Sequence, residues 1–573
     1  MSGGRPLSRL AVITVALVLC WTRFEYSEFR GWTPLRVTSW DAFGYYQYLP
    51  AWYIYHDIEC QDWVEHVDST YHVVGGQLYQ LMTLENTHRA TKYLGGVALM
   101  EWPFFWIGHW CAGAFGYPQD GFSAPYQWAI AVAPLFYCIL ALFLLRRVLL
   151  RYFEDRVAAI VLVLVTLATN AIQYISVDGA QTHGFLFALY ALMLWATIKW
   201  HERPGIGWAV VIGATFGLAS VARPTEAIML FLPLLWNTGT REAARAKWAL
   251  VRQHAWHLGI VVATAFLPIL PQLLYWKQVT GSYVFDVGSK WDFLMPHLRV
   301  LFGWEKGWII YTPITIGFVA GLFLLRGRPW KWSLIVFSLL NLWVITAWHD
   351  WRYGGSYSAR ALMQSYPVWS LAFAVLVERA LATRWTWPFV AVSAYLLGVN
   401  LFQVKQYNNT VIHFDDMHRR YYQAIYLDAD PTPEDVALLD DPRIPTSEAG
   451  FQRRTFFTRD EVLHVNTPGE HLLLDRWDVH RTPGGTWHWL KLDMDLRVRT
   501  CTDDARCVLQ LEGTGLLNST RHRLRKDPDH FQHYVCYLAW PGPATEAQLS
   551  LAVKSDGPID VEATNVVITA LDR

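Results

Sequence analysis

Apolar residues fill long runs from residue 10 to about residue 403, and beyond that point the pattern changes to short alternating stretches. A membrane span needs about 20 mostly apolar residues, so the runs are predicted to be transmembrane helices. The predicted spans are 8–25, 125–146, 156–175, 183–200, 206–222, 225–237, 256–276, 307–325, 331–348, 367–382 and 386–404. The first run begins like a signal peptide, but Trp21, Phe24 and Tyr26 stand where the small residues of a cleavage site belong. It is expected to remain as the first span.

The segment 97–116, VALMEWPFFWIGHWCAGAFG, is ambiguous by hydropathy alone. Basic loops gather on the cytoplasmic side of a membrane, and this rule decides it. Treating 97–116 as an interfacial or partly inserted helix places Arg146, Arg147, Arg151, Lys199, Arg203, the Arg241–Arg252 cluster, Arg326, Arg328 and Arg379 on one side. About eleven spans result. The outer side then carries residues 26–124, loops 277–306 and 349–366, and the tail.

The tail divides in two. Residues 406–460 contain DADPTPEDVALLDDPRIP and are expected to form a connector. Residues 461–573 alternate in runs such as WHWLKLDMDLRV, CVLQLEG and VEATNVVITAL between Gly, Pro and Asp turns, which predicts a β-sandwich-like domain. The expected fold is thus an α-helical polytopic membrane domain over 1–405, a connector over 406–460 and an outer-face β-rich domain over 461–573. The plain reading of that last domain is a stability or docking module. Trp477, Trp487 and Trp489 give a sharper one, a carbohydrate platform.

Composition narrows the picture. Charged residues make up 17% of the chain, against about 25% in soluble domains. The formal net charge is +0, so no basic surplus exists to neutralise phosphates and nucleic acid is not expected as a partner. Cys20, Cys111 and Cys138 lie in apolar runs and behave as small hydrophobes. Cys501 and Cys507 flank TDDAR, a spacing that permits a disulfide in an oxidising compartment and equally permits two thiols. No CxxC spacing occurs, and no metal site is predicted.

The candidate chemistry lies at the outer ends of the predicted spans. After the first span the chain reads SWDAFGYYQYLPAWYIYHD. Asp41 sits close to the membrane edge ahead of Tyr45 and Tyr46, where a carboxylate is costly unless a cavity or partner solvates it. An interfacial aromatic belt explains the tyrosines but not Asp41. Lys92, Asp178, His183, Arg223, Lys306, Trp351, Tyr353 and Arg360 occupy similar depths. Any one of them can simply anchor a helix end. Together they suggest an outward cavity in which Lys and Arg hold a phosphate while a carboxylate serves as general base. No GxxxxGK[ST] loop, GxSxG elbow or HExxH helix appears. Energy for a transfer on this face therefore arrives with the substrate, as in a lipid-linked phosphate ester.

Several segments carry a family resemblance: WDAFGYYQYLPAWYIYHD, TKYLGGVALMEWPFFWIGH, DGAQTHGF, ARPTEA, PQLLYWKQVTGS, LFGWEKGWIIYTP and WRYGGSYSARALMQSYP. In this order, across residues 1–405, they resemble the GT-C superfamily of polyprenyl-phosphate-sugar-dependent glycosyltransferases, which includes protein O-mannosyltransferases and the lipid A aminoarabinose transferase. The resemblance implies juxtamembrane helices in the first outer loop and Asp41 as catalytic base. It also implies a polyprenyl-phosphate-sugar donor, a hydroxyl acceptor on a glycan, lipid or protein, and an inverting displacement. Such a protein resides in the cytoplasmic (inner) membrane among membrane lipids, with its site on the periplasmic or extracellular side. Lys92 resembles the donor-phosphate lysine of the aminoarabinose transferases, although Lys-Tyr-Leu stands where they have a Lys-Pro-Pro-type sequence. Ala42 follows Asp41 where the mannosyltransferases have Glu. Arg223, Lys306 and Arg360 are the other candidate phosphate ligands, Tyr45, Tyr46 and Trp351 the candidate stacking surfaces, and Tyr353, Asp178 and His183 the remaining wall. The displacement requires no metal if these cations balance the leaving charge; a divalent cation remains compatible with the acids on this face. The competing classes are a transporter of a lipid-linked glycan and an outer-face ligase or acyltransferase, the latter with His183 or His349 as its catalytic residue.

Overall fold

The computed structural model describes residues 6–26, 36–74, 78–432, 435–436, 438–440, 448, 451–480, 487–502, 505–513, 516–524, 526–540, 546–555 and 557–572. The chain divides into two compact units, Met1–Thr410 and Val411–Arg573. The first is helical.

Among the described residues, four helices are long and apolar enough to cross a membrane: Pro6–Glu25, Ala124–Leu149, Trp256–Thr280 and Thr386–Asn408. These mark the chain as a membrane protein. Several other predicted spans take a different form, and the reason is local. Pro224 opens a 3-10 helix over Pro224–Leu230, followed by the short helix Phe231–Leu235. Pro313 separates Trp308–Tyr311 from Ile316–Leu322, because a proline has no N–H to continue the ladder. The predicted span 156–175 is the helix Asp155–Leu167 and then a π-helical turn, Gln173–Val177. Helices Ile206–Ala222 and Lys331–Thr346 are apolar but shorter than the long four.

The first predicted outer loop is structured. It holds helices Asp41–Tyr46, Tyr48–Tyr53 and Val64–Tyr71, a hairpin of Leu81–Thr83 against Arg89–Thr91, and the helix Gly96–Phe115. That last helix lies along Ala124–Leu149, meeting it at Tyr126 beside Gly108 and at Tyr137 beside Phe104 and Met100. An aromatic core of Phe43, Tyr46, Phe105, Phe122 and Tyr126 knits these pieces together. At another point of the unit, Asp155 accepts hydrogen bonds from the Leu7 and Ser8 N–H groups, and Arg146 donates to Ser8 Oγ at 2.7 Å. The start of the first helix thus gains the acceptor that its unpaired N–H groups require.

Among its described residues the second unit is all-β apart from a short helix, Arg419–Ala424, and a 3-10 turn, Leu438–Asp440. Strands Gly469–His480, Glu546–Ser555, Arg506–Gly513 and Leu516–Arg523 form one antiparallel sheet in that order. Gln452–Arg459, Asp560–Asp572, Trp487–Thr500 and Asp527–Ala539 form the other, with Leu463–Val465 added beside Asp560–Asp572. Leu490, Leu492, Met494 and Leu496 face one core together with Leu509, Leu511, Leu549 and Leu551. Their period of two is the alternation that marks one buried sheet face.

Cys501 and Cys507 are both thiols, not joined in a disulfide. Cys507, on Arg506–Gly513, is buried in the β core, while Cys501, in the connection after Trp487–Thr500, packs partly buried against the same core with its Sγ facing the Leu524 carbonyl. Trp477 is half exposed and packs edge-on against Phe457. The Trp487 side chain and most of 441–450 in the predicted connector lie outside the described residues.

Candidate functional site

Asp41 opens the helix Asp41–Tyr46, and the residue before it fixes its direction. Trp40 has φ 59° and ψ −129°. A non-glycine residue held at positive φ costs about 1–3 kcal/mol and persists only where surrounding structure enforces it. Here the Trp40 N–H donates to the Val73 carbonyl and its own carbonyl accepts from Gln80 Nε2.

Three groups donate to the Asp41 carboxylate. Oδ1 accepts from Tyr93 at 2.6 Å and from Tyr79 at 3.0 Å, and Oδ2 accepts from Arg360 Nη2 at 2.8 Å. Gly44, one turn along from Asp41, explains how Tyr93 reaches it. A Cβ at position 44 would stand 2.2 Å from the Tyr93 ring, so only glycine lets the ring lie against the helix. Tyr45 then packs edge-on against the same ring, centroids 4.7 Å apart.

Arg360 begins the short helix Arg360–Met363. Its Nη1 donates to Gln181 Oε1 at 2.7 Å, so the guanidinium is shared between a carboxylate and an amide. Gly354, at φ 62°, leaves room for this arrangement, since a Cβ there would lie 3.3 Å from Arg360 Nη2. Burial alone would raise the Asp41 carboxyl; the Arg360 charge and the bonds from Tyr93, Arg360 and Tyr79 outweigh it and hold the group below its ordinary value. Burial works against the Arg360 charge as well, and Asp41 more than offsets it. Burial, reinforced by the Asp41 charge, pushes the Tyr93 phenol up, so it remains a donor.

Gln181, Thr182 and His183 are consecutive, and each touches a different part of the cluster. Gln181 holds Arg360, Thr182 bonds the Tyr45 hydroxyl, and His183 Nδ1 lies 3.0 Å from Gln364 Oε1. Arg223, at the end of Ile206–Ala222, lies within charge range of Tyr45 and His183 and stands 5.9 Å from the Tyr353 ring centroid. Asp41, Arg360, Tyr45, His183, Arg223 and Tyr353 are therefore neighbours.

Other predicted site residues sit elsewhere or differently. Tyr46 is buried in the aromatic core, its hydroxyl donating to the Gly121 carbonyl at 2.5 Å, so it offers no stacking surface. The helical period turns it away from the face that carries Asp41, Gly44 and Tyr45. Lys306 is buried and donates to the carbonyls of Arg352 (3.3 Å) and Gly354, which makes it a clamp on the loop below Arg360. Trp351 lies beside Arg299 and Arg352. Asp178 ends the π-helical turn and accepts from Gln173 at 3.0 Å. Lys92 is exposed, one residue before Tyr93. No group of three or more His, Cys, Asp or Glu among the described residues is arranged to hold a metal ion. Sequence reasoning missed Tyr79, Tyr93, Gln181 and Gln364. Tyr93 stands beside the singled-out Lys92, and Gln181 lies within the quoted DGAQTHGF, but neither carries a charge to draw notice.

No family model matches the chain, and no curated protein matches it. Among solved structures it is similar to the archaeal oligosaccharyltransferase AglB from Archaeoglobus fulgidus in complex with an inhibitory peptide and a dolichol-phosphate. The identity is 12%, the match covers 75% of this chain and 58% of that one, and the TM-score is 0.39. It is also similar to the arabinosyltransferase EmbB from Mycobacterium smegmatis at 11% identity, covering 78% of this chain and 57% of that one, with a TM-score of 0.31. Both are membrane glycosyltransferases of the GT-C superfamily. The chain spans less than three fifths of the length of either.

Proposed function

We propose that the protein transfers a sugar from a polyprenyl-phosphate-linked donor to an acceptor hydroxyl on the outer face of the cytoplasmic membrane. The observation that carries this reading is the Asp41 carboxylate, paired with Arg360 and supported by two tyrosines at the top of a short helix. A base and a phosphate ligand are already in contact, and the substrate can separate them. Donor phosphate oxygens compete with Asp41 for the guanidinium, which forms bidentate bonds with phosphate. Losing its cation makes Asp41 a stronger base at the moment the donor arrives.

The acceptor oxygen then attacks the anomeric carbon while its proton passes to Asp41. The new C–O bond forms as the bond between that carbon and the phosphate oxygen breaks, and the electron pair leaves with polyprenyl phosphate. A single displacement of this kind inverts the anomeric configuration. Arg360 and Arg223 supply positive charge where the leaving phosphate develops its own. Tyr45 provides an aromatic wall beside them.

The test uses purified protein in lipid with a panel of radiolabelled polyprenyl-phosphate sugars and a membrane extract as acceptor source. Transfer or slow hydrolysis from one donor, with inverted product, supports the reading. Binding of polyprenyl phosphate without turnover of any donor would overturn it in favour of transport or ligation.

A further inference from the structure

One buried carboxylate beside the site has no part in the displacement. Glu226 is 1% exposed, in the turn that follows Arg223. Its Oε2 accepts from the Tyr190 hydroxyl at 2.5 Å, and its Oε1 accepts from Gln364 Nε2 at 2.5 Å and from Thr225 Oγ1 at 3.1 Å. An acid in apolar surroundings is costly unless used or fully satisfied. The other end of the Gln364 amide meets His183, Oε1 to Nδ1, at 3.0 Å.

This order of atoms has a consequence for the histidine. Gln364 presents its NH₂ to Glu226 Oε1 and its carbonyl to His183, the orientation in which each amide atom meets a complementary group. A carbonyl only accepts, so Nδ1 must carry the proton. Arg223 and Arg360 are already two cations of this cluster, and a second ring proton would add a third positive charge beside them. The proton on Nδ1 leaves Nε2 with a lone pair. Among the described residues Nε2 has no hydrogen-bond partner, and His183 follows the two residues that hold Arg360 and Tyr45.

We infer that Glu226 is a positioning residue: through Gln364 it locks His183 in the Nδ1–H tautomer, so that Nε2 accepts a hydrogen bond from a hydroxyl of a sugar bound beside Asp41. The substrate half of this statement rests on the glycosyl-transfer reading; the tautomer half does not. The arrangement has the logic of a histidine whose free nitrogen is set by what its other nitrogen touches.

The experiment reads the tautomer directly. Full-length protein carrying ¹⁵N-histidine is placed in lipid, and the His183 signals are assigned by their loss in His183→Gln. The wild type should show a protonated Nδ1 and an unprotonated Nε2. In Glu226→Gln both orientations of the Gln364 amide find a partner, and His183 should show both tautomers. The exchanged pair Glu226→Gln with Gln364→Glu restores an acceptor at Nδ1 and should restore the single tautomer. If wild type shows Nε2–H, or Glu226→Gln leaves the single Nδ1–H form unchanged, the inference is overturned, whatever the protein's activity. If transfer is observed, Glu226→Gln should lower it by about tenfold, the worth of about 1.4 kcal/mol, and the exchanged pair should recover it. Recovery of the tautomer without recovery of transfer would remove the substrate contact.

Discussion

The two units handle charge in opposite ways. In the helical unit one cluster of polar and ionisable groups is buried and linked: Asp41 to Arg360, Arg360 to Gln181, Glu226 to Gln364 and Gln364 to His183. In the β unit they sit on the outer face of a sheet, where Glu562 meets Arg497 and Arg499, and Asp495 meets His533 and Asn565. The main core cluster of that unit is built of apolar side chains. Surface pairs of this kind exchange easily with water and contribute little, whereas a buried charge that loses its partner is left uncompensated.

The largest effect should come from Arg360→Gln. It leaves the Asp41 carboxylate in place with only its two tyrosines, and the fold should lose about 3–5 kcal/mol, the usual cost of breaking a buried pair. The pH dependence sharpens this. Because Asp41 is held below its ordinary value when folded, its stabilising contribution is complete at neutral pH and disappears as the pH falls through that lowered value. Thermal melts of wild type and Asp41→Asn should therefore differ at pH 7 and converge in acid; a constant difference would break the assignment.

In the β unit the large effect should come from an apolar residue instead. Leu492 is fully buried in the core, and Leu492→Ala should cost about 2–5 kcal/mol in denaturant unfolding of that unit. Next in size is Lys306→Met, which removes a donor from the Arg352 and Gly354 carbonyls. A loss of about 1–3 kcal/mol with unchanged donor KM is expected; a raised KM would return Lys306 to the phosphate pocket. The smallest is Arg499→Ala, an exposed arginine whose partner Glu562 keeps Arg497, at about 0–1 kcal/mol by the same unfolding measurement.

Much of this was legible beforehand, and the limits have physical causes. Predicted nearness to the membrane edge singled out Asp41, because burying a charge is expensive, whereas Arg360 stood among several candidate cations until the fold paired the two. Alternation over WHWLKLDMDLRV announced a sheet face, since only a period of two sorts Leu490, Leu492 and Met494 from Lys491 and Asp493. Span lengths were less legible. Hydropathy runs through Pro313 inside the predicted span 307–325, while the backbone ends a helix there; at Pro224 it placed the break but not the 3-10 helix that follows. Tyr79 and Tyr93 were invisible as Asp41 ligands because neutral phenols in an aromatic-rich chain carry no signal, and only the fold brings residues this far apart in sequence together. Tyr46 misled for a related reason: adjacent tyrosines look alike in sequence, yet one helical step sends Tyr45 to the site and Tyr46 to the core.

The most direct test of Asp41 as general base is single-turnover transfer from the donor the panel identifies, comparing wild type with Asp41→Asn in lipid. The account predicts that Asp41→Asn still binds donor and loses transfer by about 10²–10⁴-fold, the usual contribution of a positioned base. Transfer at the wild-type rate would contradict it.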